Sequence, residues 1–167
     1  MTINATHWHA LVNHIPIIGV PMVAILLVWG IAKANEAMVR LALLATIVMA
    51  GAAWLADNTG GKAEDEVKDA KLAWVSRHLI HEHEEVAEKA ELAAIATGVL
   101  ALGVLVMARG GKPPHRVATY GVLLGLGVTA ALLAVTAWKG GDIRHDEFGI
   151  STGNARLETP SATDHEH

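Results

Sequence analysis

Polar positions almost vanish from four stretches of the chain, residues 15–32, 37–56, 92–108 and 117–138. A helix needs roughly 20 apolar residues to cross a hydrocarbon core, and each stretch meets or approaches that length. An amphipathic helix of a soluble bundle would keep a polar stripe facing water. Residues 41–56 and 92–108 carry no charge on any face. The pattern predicts an all-α protein, a four-helix transmembrane bundle over residues 1–148, followed by a polar C-terminal tail over 149–167.

Between the runs the polar residues sort by charge. The link after the first run holds Lys33 and Arg40 with one acid, Glu36, and the link after the third holds Arg109, Lys112 and Arg116 with none. Short basic links stay on the cytoplasmic side. Both termini and the acid-rich segment 57–91 are then expected outside, in the periplasm of a bacterium, with the chain as a multi-pass protein of the inner membrane. Trp8, Trp54, Trp74 and Trp138 fall at outer ends and Trp29 at an inner end, as an aromatic belt requires.

Local signals refine this outline. Asn58-Thr59-Gly60-Gly61 reads as a break after the second span. Val67, Ala70, Trp74 and Val75 then recur at helical spacing, which predicts a short amphipathic interfacial helix between spans two and three. From about Ser76 a helix runs on into the third span. Pro113 and Pro114 open the fourth, Gly121 and Gly125 suit close helix packing within it, and Gly140-Gly141 closes it.

Composition removes several chemistries. The 167 residues include no cysteine, which excludes disulfides, thiolate-ligated or covalently attached haem, and iron–sulfur clusters. A net charge of -4 and the lack of a basic stripe argue against nucleic acid as a partner. No Lys or Arg precedes the first span, so the charged start of a signal peptide is missing and the span is expected to stay in the mature protein. No nucleophile elbow, phosphate loop or dinucleotide fingerprint is present. An electron-transfer or binding subunit is expected rather than a stand-alone enzyme.

What remains is histidine. Of the ten, only His115 falls on the cytoplasmic side of this topology. His7 and His14 lie two turns apart on one helix face, and His9 lies about 140° away from His14. His14 is the deepest. On the third helix His83 shares a face with Ala87, Ala90, Ala94 and Thr97, whereas His81 aligns with Glu85 and Glu88, so His83 is expected to point inward. His145 follows the glycines of the fourth span. Imidazoles offered by separate membrane helices, without cysteine, suit b-type haem, one or two groups, near the outer face. His14 and His83 are the first-choice axial pair, with His9 and His145 next. The same four histidines, joined by Glu84, Asp142 or Asp146, suit a copper, zinc or iron ion equally well. The bland alternative is that the histidines cap helices or bond loop carbonyls in a structural membrane subunit without a cofactor. Expected partners are the lipid bilayer and a periplasmic redox protein or other membrane subunits.

The ordered motifs also resemble a known family. His9-Ala10-Leu11-Val12-Asn13-His14-Ile15-Pro16-Ile17 is similar to the His-Pro-x-x-x-His-Phe-Pro-Ile opening of the domain-of-unknown-function 2231 family of small four-span bacterial membrane proteins. Ala10 and Ile15 depart from that opening. Thr59-Gly60-Gly61, His83-Glu84, and Gly140-Gly141 with His145 match its later signatures in order. The resemblance covers most of residues 9–148. It implies the same four-span fold, and it suggests b-type cytochromes or redox-complex subunits without assigning an activity.

Overall fold

The structure is a computed structural model that describes residues 5–69 and 77–145. These residues form five helices and no strand: α1 (Ala5–Val12), α2 (His14–Ala32), α3 (Glu36–Asp69), α4 (Arg77–Met107) and α5 (Arg116–His145). Helices α1 and α2 make one crossing between them. Asn13 keeps right-handed helical dihedrals, φ −63° and ψ −25°, and its N–H donates to the His9 carbonyl at 3.0 Å. The interruption has a local cause: Pro16 lacks an N–H, so the Val12 carbonyl loses its partner one turn on. Four crossings are long and apolar enough to span a membrane, His7–Ala32, Glu36–Asp65, His78–Met107 and Arg116–Gly141.

The bundle is apolar outside as well as inside. Ile18, Met22, Ile25 and Trp29 line the outer face of α2, and Leu44, Val48, Val99, Leu124 and Val128 do the same for the other helices. Lipid accepts such a surface and water does not. The interior packs Val20, Leu27, Leu43, Ala101, Val104, Val122 and Leu126. Neighbours follow chain order, α2 on α3, α3 on α4 and α4 on α5, and α5 returns to α2 to close the ring.

Small residues set the approach between helices, as they do where hydrocarbon removes the hydrophobic drive to associate. A Cβ built on Gly98 of α4 would lie 2.7 Å from the Cβ of Ala50 on α3. Gly125 of α5 faces Thr97 of α4 with no room for a methyl, and Gly121 lies against Leu100. The buried polar side chains among the described residues are threonines: Thr46, Thr59, Thr97, Thr119, Thr129 and Thr136. Each hydroxyl donates to a carbonyl three or four residues back, in its own helix or, for Thr119, at the His115 cap just before it, at 2.7–2.9 Å.

The basic end is closed by a cross-link. The Arg40 guanidinium of α3 donates twice to the Ala108 carbonyl, at 3.2 and 3.1 Å, and again to the Lys112 carbonyl. It places a cation at the negative end of α4, where the last carbonyls have no helical partner. Near it a cavity of about 310 Å³ is lined by Gly30, Glu36, Pro113, Arg116 and Tyr120 among others, remote from His9 and His83.

Three sequence-based expectations change. Gly60-Gly61 does not break the second span, because α3 continues through it to Asp69. The helix that carries the fourth span does not stop at Gly140-Gly141 but runs on to His145, although the apolar span itself ends at Gly141. A glycine in a helix interior costs about 1 kcal/mol relative to alanine, so the pairs read as stops, yet the backbone stays helical through both. Val67 belongs to α3, and the remainder of the expected interfacial helix, residues 70–76, lies outside the described residues, as does the tail after His145.

Candidate cofactor site at the histidine end

Phase along the first crossing decides which of its histidines faces inward. Val12, Pro16, Val20, Val23 and Leu27 form the buried stripe, and His9 lies on its extension. His14 lies instead on the stripe of Ile18, Met22, Ile25 and Trp29 that faces outward. It is exposed, and its Nδ1–H donates to the Ala10 carbonyl of the same crossing at 2.6 Å. The expected pairing of His14 with His83 therefore does not form.

His9 and His83 are instead the two histidines that turn inward at this end, each against a neighbouring helix. The His9 ring is half-buried against α3, where its Nδ1 lies 3.1 Å from the Ala56 carbonyl oxygen and 3.2 Å from Thr59 Oγ1. The His83 ring is half-buried against α5, with Nδ1 3.0 Å from the Thr136 carbonyl oxygen. A carbonyl oxygen can only accept, so in each ring Nδ1 carries the proton and donates it. The neutral ring then presents its lone pair at Nε2. Ligating histidines are held in this way, with one ring N–H on a carbonyl and the other nitrogen turned to the metal. The two rings lie within electrostatic reach of one another, and Asp57 lies within reach of His9.

Glycines make the ring positions possible. A Cβ on Gly60 would lie 3.2 Å from Cε1 of His9, and a Cβ on Gly140 would lie 3.1 Å from Cε1 of His83. Each supposed helix stop is thus the point where an imidazole crosses a neighbouring helix. Beside it Lys139 of α5 donates to Glu82 of α4 at 2.6 Å, an ion pair one residue from Gly140 and one from His83. One turn from His9, Asn13 Oδ1 is buried and accepts no hydrogen bond from the described atoms.

The other candidates separate from this pair. His81 is exposed, as its acidic face predicts, and His78 pairs with Glu82 at 3.1 Å on the surface. The inward side of α4 is the expected stripe, with Ala90, Ala94 and Thr97 buried below His83. His145 is the last residue of α5, and its side chain and that of Asp142 lie outside the description. Among the described residues no three His, Asp or Glu side chains gather where they could hold a metal ion. The sequence reading missed Ala56, Thr59, Gly60, Thr136 and Gly140 as parts of the site. The signal that could have found them is the paired occurrence of a helical-looking glycine at each end facing a histidine. No family model, curated protein or solved structure matches the chain, so what it does is read from its own residues.

Proposed function

We propose that the chain is a membrane electron-transfer subunit that holds haem b between His9 and His83, at the periplasmic face of a bacterial inner membrane and within a larger redox complex. The observation that carries this reading is the pair of half-buried imidazoles from different helices, each with Nδ1–H committed to a main-chain carbonyl and, among the described residues, no hydrogen bond at Nε2. A porphyrin brings four nitrogens of its own and asks the protein for two axial donors. Structural or catalytic zinc, and most copper sites, ask for three or four, and among the described residues no three such donors gather. The basic links at the far end set the orientation, since short Lys- and Arg-bearing links remain cytoplasmic.

In this reading the protein's work is positional. His9 and His83 would hold the iron. The Ala56 and Thr136 carbonyls fix each ring's tautomer and plane, and the surrounding helices exclude lipid and water. The haem supplies one-electron chemistry when bound. A reduced-minus-oxidised absorption spectrum of the purified protein tests the proposal. It should show a b-type band that survives His14→Ala and disappears in His9→Ala and in His83→Ala.

A second reading rests on a specific observation: the two histidine bonds join neighbouring helices, α1 to α3 and α4 to α5. Interhelical hydrogen bonds in membranes contribute about 0.6 kcal/mol on average. As bare cross-links the histidines would leave the protein colourless, and His83→Ala would lower its stability without altering any spectrum.

A further inference from the structure

We infer that the chain is two copies of one helix hairpin, residues 7–65 and 81–145, related by a two-fold axis along the bundle, in which Gly60 and Gly140 are equivalent positioning residues that set the planes of His9 and His83. Shifting the first crossing by 74 positions places His7 on His81, His9 on His83 and Val12 on Val86. The same shift carries Pro16, Val20, Val23, Leu27 and Gly30 onto Ala90, Ala94, Thr97, Ala101 and Val104, and all ten are buried. Shifting the second crossing by 80 positions places the start of α3 on the start of α5 and Gly60-Gly61 on Gly140-Gly141. It carries Val39, Ala42, Thr46, Ala53 and Ala56 onto Thr119, Val122, Leu126, Leu133 and Thr136, again all buried.

Helical periodicity alone would align some buried positions. It would not align the chemistry at the ends. Asn35 and His115 correspond under the second shift, and both side chains cap their helices: Met38 N–H donates to Asn35 Oδ1 at 3.1 Å, and Ala118 N–H donates to His115 Nδ1 at 3.4 Å. The carbonyls that accept from His9 and His83, Ala56 and Thr136, also correspond, as do the glycines under the two rings. The two shifts differ by six positions, which is the length of residues 109–114, extra in the second basic link. Both hairpins cross in the same direction, so the axis relating them runs along the membrane normal, as in parallel transporter repeats.

This arrangement makes the two imidazoles counterparts, each oriented by the carbonyl and glycine of its own hairpin. A group bound between them would meet the same surroundings from both sides, and His9 and His83 would be its equivalent donors. That last point rests on the haem reading; the repeat and the glycine roles do not. A methyl at Gly60 or Gly140 would meet ring carbon at 3.2 or 3.1 Å and turn the ring. Gly61 and Gly141 have nothing within 4 Å and serve as controls.

The test uses the full chain labelled with ¹⁵N-histidine in detergent, with ring signals assigned through His9→Gln and His83→Gln. Gly60→Ala should shift the His9 ring signals and Gly140→Ala those of His83, by comparable amounts, while Gly61→Ala and Gly141→Ala shift neither. A shift in only one hairpin, or equal shifts from the controls, overturns the inference. The absorption spectrum is read separately: wild-type protein without a b-type band sinks the haem proposal and leaves the ring shifts to decide the glycine roles.

Discussion

Gly98 offers the sharpest measure of how close α3 and α4 must come. Replacing it with alanine puts a methyl carbon 2.7 Å from the Cβ of Ala50, an atom fixed to the α3 backbone that cannot swing aside. Carbon atoms in contact prefer a separation of about 3.5–4.0 Å, so the helices must part by roughly 1 Å. Overpacking of that kind costs about 1–3 kcal/mol. Alanine in place of glycine returns up to about 1 kcal/mol of helix propensity. Taking the middle of that cost less the propensity gain, the net expectation is a loss of about 1 kcal/mol, read as earlier unfolding in a titration with denaturing detergent followed by tryptophan fluorescence. Ala50→Gly removes the opposing methyl. The double variant should therefore be more stable than the sum of the single effects by about 1–2 kcal/mol, within the range of coupling between touching residues. Because α3 supplies the carbonyl that holds His9 and α4 carries His83, Gly98→Ala should also disturb both ring environments, and Ala50→Gly should restore them. A neutral or stabilising Gly98→Ala, or a double variant that is merely additive, would refute the claim that this contact sets the helix spacing.

Other outcomes follow from the same contacts. His14→Ala should change neither stability nor any ring signal of His9 and His83, since His14 is exposed and bonds only its own crossing; loss of the b-type band in this variant would contradict the site. Arg40→Gln should destabilise the basic end by about 1–2 kcal/mol, judged from charged hydrogen bonds worth about 1.5–3 kcal/mol and partial exposure here. It should leave the histidine rings unmoved, which thermal melts and ¹⁵N spectra together check. Glu82→Gln breaks a partly exposed ion pair with Lys139, and pairs that solvent still screens contribute little. Its melting temperature should stay close to wild type at both low and high salt, and a large loss would show that the pair helps hold α4 to α5.

Much of this architecture was legible in the sequence because hydrocarbon imposes a coarse rule: long uncharged runs must cross, and basic links mark one end. His83 was likewise legible, since Ala87, Ala90, Ala94 and Thr97 give its face away through small size. His14 was misplaced because the first crossing is apolar all round, so hydropathy carries no phase. Only the burial of Pro16, Val20, Val23 and Leu27 tells which side faces in, and it selects His9. The glycine pairs were misread for a different reason. Gly60-Gly61 and Gly140-Gly141 lie amid polar residues, where local propensity predicts an end. The helix runs on through both pairs, and what calls for glycine at Gly60 and Gly140 is an imidazole arriving from 51 and 57 positions away in the chain, which no local rule contains.

The threonines of the interior have a mechanical meaning. Every one of those hydroxyls is satisfied within its own helix or the cap just before it, so sliding or tilting one helix against another strands none of them in hydrocarbon. Mid-membrane cohesion therefore comes from fit alone and yields gradually under load. The latches, the histidine bonds at one extremity and the Arg40 clasp at the other, are the parts that hold or let go.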